Sequence, residues 1–314
     1  MLIKQIIEVY DILDDINASG KRVEEYLRRI KPDADIEVYT VNGKKGSTDI
    51  IKIKVQGLNG KSSGGDAPTI GILGRLGGLG ARPECIGFVS DGDGALVALT
   101  VAAKLLDMQN KGDCLEGDVF IATDICPTAP TRAHKPVAFM DLPVDIAKIN
   151  QEEINDDLDA ILVVDTTKGN RIINTCGFAI SATVKEGYIL KVSDDLLDIM
   201  QTTTGRLPNV FPLSTQDITP YGNSLYHLNS ILQPATATDA PVVGIAVTSE
   251  VSVAGCATGA SSYIDTESAA RFILETAKSF GRKECSLYDS DEFEKIVSLY
   301  GKMTHLQTFG KTSE

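Results

Sequence analysis

The sequence predicts an α/β protein with three layers, a mostly parallel central sheet carrying helices on both faces. Three observations carry that prediction. Short β-rich runs alternate with helix-period segments through the middle of the chain. The 28 glycines and 12 prolines fall mainly between those runs, as turn residues do. At 314 residues and 43% hydrophobic, the chain is long and apolar enough for a substantial core. One domain is expected over 1–314, with 1–65 as N-terminal helices and a hairpin and 66–314 as the core.

Taken in order, Ile3, Ile6, Ile7, Tyr10 and Leu13, then Val23, Tyr26, Leu27 and Ile30, recur at helical spacing on either side of Asn17–Gly20. They predict two short helices. Asp35–Tyr39 and Asp49–Val55 alternate with period two around Asn42-Gly43, which predicts a hairpin. Asn59–Asp66 reads as a loop, and the apolar run Thr69–Leu73 as a buried strand that enters the glycine cluster Gly74–Gly80. Then come strand Ile86–Val89, helix Gly94–Asn110, strand Asp118–Ala122, a long loop Thr123–Val144, a polar helix near Gln151–Leu158 and strand Ala160–Val164. After Arg171 follow strand-like segments, a polar loop Thr202–Gln233, strand Val242–Val247, and helices Thr266–Phe280 and Ser290–Leu299. No internal repeat is present.

Charge narrows the function classes. A net charge of −13 repels phosphate backbones and anionic membranes, so neither nucleic acid nor a membrane is an expected partner. Apolar runs such as Ala95–Ala103 are far shorter than the roughly 20 residues that span a bilayer. Glu8, Asp11, Asp14 and Asp15 interrupt what would have to be a secretory signal, which makes a cytoplasmic location the expectation. Six scattered cysteines without a CxxC pair read as free thiols.

In a parallel α/β sheet, ligands bind beyond the carboxyl ends of the strands. Asp91, Asp124 and Asp165 each follow a predicted strand, and carboxylates converging there suit a divalent metal, zinc or manganese. The plainer reading makes each Asp the start of a turn or a helix cap. In the segment SDGDGA either Asp91 or Asp93 fits the ligand position. The Pro-rich loop 123–144 offers Cys126, Arg132 and His134, with His134 the preferred catalytic candidate or extra ligand. Lys168, within Lys168-Gly169-Asn170-Arg171, offers a cation for a substrate carboxylate. Asp217, Asn223 and His227 lie in a second polar cluster and are candidate ligand-binding groups; as turn formers they serve equally well to close their own loop. Gly74–Gly80 has the wrong spacing for a dinucleotide fingerprint, so no nucleotide cofactor is expected.

Over roughly 65–280 these motifs resemble the zinc-peptidase superfamily of co-catalytic metallo-aminopeptidases and deacylases. Gly74-Arg75-Leu76-Gly77 is similar to its first metal-binding turn, Ser90–Ala95 to its second, Thr123-Asp124 to its acidic pair and Val164–Thr167 to its fourth motif, while Val253–Cys256 falls near its late histidine. The resemblance implies a phosphorylase/hydrolase-like fold and a metal at Asp91, Asp124 and Asp165. Arg75 stands where the family has histidine, Thr123 where it has the general-base glutamate, and no histidine lies near Cys256. Loss of those groups leaves the usual two-metal activation of water without its ligands. Over the whole chain, strings such as DGDGA (91–95), ICPTAP (125–130), TTKGNR (166–171) and QDITPYGN (216–223) resemble a family of unknown function, DUF1177.

Two functions follow as expectations. One is a hydrolase-like protein, metal-dependent, acting on a small amide, peptide or amino-acid derivative, with Arg75 binding an anionic group or stabilising developing charge and His134 or His227 assisting. The other is a non-catalytic protein that binds an amino-acid-like ligand in the same pocket. A homo-oligomer is expected in either case, because about ten residues between Gly80 and Asp91 leave no room for a separate lid.

Overall fold

The computed structural model describes residues 2–75, 87–133, 139–253 and 261–311. The expected N-terminal helices are α1 (Ile3–Asp14) and α2 (Gly20–Ile30). The first buries its stripe Ile6, Val9 and Leu13, and Ser19 caps the second by accepting from Arg22 N. Strands β1 (Asp35–Asn42) and β2 (Ser47–Val55) form the expected hairpin, with Asn42 opposite Ser47.

The central strands are β3 (Ile70–Gly74), β4 (Val119–Ile125), β7 (Ala160–Thr166) and β11 (Val242–Thr248). Across the sheet they stand in the order β4-β3-β7-β11 and run parallel, while β2 adds antiparallel to β4 at one side. Between β4 and β7 come the small pair β5 (Thr131–Arg132) and β6 (Phe139–Met140); β8 (Gly177–Ile180), β9 (Val184–Lys185) and β10 (Tyr188–Ile189) lie antiparallel on the β11 side. The parallel core with antiparallel flanks is the mixed, mostly parallel sheet that the pattern predicts.

Helix α3 (Asp93–Asn110) is apolar nearly all round and buried along its length, as a central helix must be. With α1, α2, α5 (Asp194–Thr204) and α6 (Tyr263–Gly281) it covers one face of the sheet, where Leu96, Leu99, Ile72, Leu162 and Phe272 share a core. The other face carries α4 (Ile146–Glu153) and much of the segment 205–241, whose Phe211, Ile218, Ile231 and Leu232 pack on Leu73, Ile161 and Val163. Helix α7 (Ser290–Tyr300) seats Phe293 edge-on against Tyr188 and Tyr288.

Three local expectations are corrected. No strand forms over 87–89: Phe88 is apolar because it stacks on Tyr10 of α1, and Ser90–Gly92 turns directly into α3. Helix α4 starts five residues before the expected one, because Asp145 caps it by accepting from Ala147 N, and Asn155 closes the following turn by accepting from Asp157 N. The predicted loop 123–144 is partly ordered structure, since β4 continues to Ile125 and Thr131 pairs with Met140. His134, Cys256 and the stretch Leu76–Gly80 lie outside the described residues.

Candidate active site at the strand ends

The register of the parallel strands builds the site. Gly74 is level with Thr123 of β4 and with Val164 of β7, so Asp124, Arg75 and Asp165 form one row at the carboxyl ends of three adjacent strands. Alternation then directs them to the same face as Leu73, Ala122 and Val163 beneath. Neighbouring strands lie about 4.8 Å apart, so roughly 10 Å of sheet separates Asp124 from Asp165, with Arg75 between them.

The first turn of α3 closes on this row from the opposite face. A Cβ on Gly94 would stand 1.9 Å from the Arg75 carbonyl oxygen and 2.5 Å from that of Val164, so only glycine allows the helix end to approach the strands this closely. That approach delivers Asp91 and Asp93 to the strand ends. Thr166 fastens the junction, its Oγ1 donating to the Ser90 carbonyl at 2.5 Å.

Each acid has its own setting. Asp93 is fully buried, with Oδ2 3.2 Å from Lys168 Nζ and Oδ1 accepting a hydrogen bond from Ser261. Burial raises its carboxyl above the usual range, against the pull of Lys168. Asp165 is buried too, accepting from Thr166 N at 2.7 Å and Ser230 Oγ at 3.0 Å. Burial lifts it to about 7 despite those bonds, and the neighbouring Asp91 adds to the shift. Asp91 is partly exposed and makes no hydrogen bond or ion pair among the described residues. Desolvation and the charge of Asp93 push it up to about 6, while Lys168 opposes them. Asp124 is buried and accepts from Thr48 Oγ1 at 2.9 Å.

Arg75 does not face open solvent. Its side chain is 1% exposed and runs to α4, where Nη2 lies 2.5 Å from Asn150 Oδ1 and 2.8 Å from Glu153 Oε2. Glu153 is equally buried, which raises its carboxyl, while the Arg75 charge pulls it back. Asn150 donates in turn to the Gln233 carbonyl, so the polar loop 214–233 braces Arg75 through Asn150 and Asp165 through Ser230.

The sequence-predicted groups therefore divide. Arg75, Asp124 and Asp165 share one row, and Asp91 approaches Asp165 from the turn before α3. Lys168 is ion-paired to Asp93. Asp217 is fully buried and closes its own loop, accepting from Ser214 N and Oγ and from Leu228 N. His227 lies within the same loop, bonded to Thr219 and Leu225 and edge-on to Tyr221, and Asn223 donates to Thr219 Oγ1. Cys126 is buried, and burial raises its thiol to about 11, which removes the thiolate a metal would need.

The implied divalent metal does not fit these positions. Among the described residues no group of three or more His, Cys, Asp or Glu side chains is arranged to hold an ion. The expected convergence of Asp91, Asp124 and Asp165 on one ion is not seen among the described residues: β3 stands between β4 and β7, and Arg75 takes the place in the row between Asp124 and Asp165. Sequence reasoning missed Glu153, Asn150, Ser230 and Ser261. None stands in a motif with a chemical signature; only the chain crossing brings them in.

The sequence matches the family described as "Protein of unknown function (DUF1177)" over residues 39–310. No curated protein matches it. Among solved structures, the fold is similar to that of leucine aminopeptidase (LAP1) from Caenorhabditis elegans, with a TM-score of 0.50, 11% identity and 91% of this chain covered. The chain spans 66% of that aminopeptidase's length. It is also similar to glutaminyl cyclase from Macrostomum lignano, with a TM-score of 0.50, 9% identity and 90% of each chain covered. At such identity the likeness is one of fold, and it agrees with the zinc-peptidase-like architecture expected from the motifs.

Proposed function

We propose, for a chain that belongs to the DUF1177 family and so takes no reaction from its name, that the strand-end site is hydrolytic and acts on a small amide, peptide or amino-acid derivative. The observation that carries this reading is the pairing of Asp91 with Asp165: one carboxyl partly exposed and without a hydrogen-bond or ion-pair partner among the described residues, the other buried, held by Ser230 and Thr166 N and raised further by the charge of Asp91. Two nearby carboxyls with separated ionisation divide the labour of acid and base near neutral pH. Asp91, at about 6, is the more readily ionised and accepts the proton of an attacking water. Asp165, at about 7, keeps its proton longer and delivers it to the leaving nitrogen. Fold analogy with an aminopeptidase sets only which substrates are tried first.

The test is incubation of the full chain with dipeptides and N-acetyl amino acids, with products followed by mass spectrometry. Wild type is expected to release product, and Asp91→Asn and Asp165→Asn each to lose about a hundredfold or more. No product from wild type, or undiminished product from either variant, removes the reading. A compound that raises the melting temperature without turnover would instead mark the chain as a binding protein.

A further inference from the structure

Buried N–H groups in folded proteins nearly always find an acceptor, because an unmatched one forfeits its hydration without replacement. Arg75 has more than one unmatched. Only Nη2 is served, hydrogen-bonded to Asn150 and ion-paired with Glu153 on α4; Nε and Nη1 have no hydrogen-bond partner among the described residues, although the side chain is 1% exposed. The guanidinium is planar and its donors diverge, so a fork fixed to α4 through Nη2 holds the Nη1 hydrogens away from that contact. Asn150 is itself committed to the Gln233 carbonyl, which keeps the fork from turning.

We propose that Arg75 receives the carboxylate of a small ligand at the strand ends, with Nε–H and Nη1–H as the donors. The ligand is a monoanion. Asp124 and Asp165 flank Arg75 across the sheet and Glu153 sits against it, so a dianion such as phosphate meets repulsion that a single carboxylate largely avoids. This names the charge of the substrate in the hydrolytic reading and rests on the same site, yet binding and turnover are read separately.

The experiment is isothermal titration of the full chain at neutral pH with N-acetylglycine, its neutral amide N-acetylglycinamide, and inorganic phosphate. The acid is expected to bind one per chain, about tenfold or more tighter than the amide or phosphate. Arg75→Met combined with Glu153→Gln removes both members of the buried pair, so neither is left facing the loss of the other. With folding checked by circular dichroism, that variant is expected to bind the acid no better than the amide. If it does not fold, Arg75→Lys, which keeps the charge but not the fork, is expected to weaken acid binding about tenfold. Acid and amide binding alike, no binding of the acid, phosphate binding more tightly, or acid binding unchanged by these substitutions overturns the assignment. Acid-selective binding without hydrolysis upholds it while refuting the hydrolytic reading; hydrolysis without acid preference does the reverse.

Discussion

Asp165→Asn is expected to make the protein more stable at alkaline pH while abolishing its chemistry. Asp165 sits in the fold at about 7 against a usual 3.8, so the folded state binds its proton more tightly than the unfolded chain does. Its favourable contribution is full below pH 3.8 and is lost as pH rises through about 7; above that, folding must bury a charge. At 1.36 kcal/mol per pH unit, that interval corresponds to roughly 4 kcal/mol. Asparagine keeps the oxygen that accepts from Thr166 N and can donate to Ser230 in place of accepting from it, so most of the gain survives. Urea unfolding at pH 5 and pH 8.5 measures it. The variant should exceed wild type by about 2–4 kcal/mol at pH 8.5, with a much smaller difference at pH 5. A variant less stable than wild type at pH 8.5, or a difference that does not change with pH, would refute the reasoning.

The remaining predictions concern the scaffold. Asp217→Asn leaves an amide NH2 facing donors from Ser214, Leu228 and Asn229 in a fully buried site, and should cost about 2–4 kcal/mol in urea unfolding at neutral pH. Gly94→Ala forces a Cβ onto the Arg75 and Val164 carbonyls and should cost at least about 3 kcal/mol or prevent accumulation of folded protein, read by circular dichroism. Cys126 should resist a thiol reagent at pH 8 in the folded state, since its thiol is buried and raised to about 11, whereas the exposed Cys176 should react promptly. Peptide mapping of the labelled protein distinguishes the two.

Much of the architecture was legible because burial writes itself as periodicity. Helix α3 and strands β3, β4, β7 and β11 stand close to the runs that predict them, since a doubly covered strand or a central helix has no polar face to blur the signal. Helix α4 was misplaced because its cap, Asp145, carries more information than the mixed run that follows. The strand-end row was also readable residue by residue: Arg75, Asp124 and Asp165 are where strand endings place them. What the sequence conceals is lateral order. Chain order puts β3 before β4 and β7, whereas space puts β3 between them, and this sets Arg75 in the row between Asp124 and Asp165. The separate fates of Asp91 and Asp93, two residues apart, depend on a single helical turn and on Lys168 and Ser261 arriving from distant segments.

Carbon-13 NMR of the protein labelled at aspartate side chains, titrated from pH 4 to pH 9, tests the central pairing most directly. Two carboxyl resonances should titrate near 6 and near 7, absent in turn from Asp91→Asn and Asp165→Asn, and Asp91→Asn should lower the midpoint of Asp165. Midpoints for both near the ordinary aspartate value of about 4, or an Asp165 resonance indifferent to loss of Asp91, would show two independent acids and contradict the account.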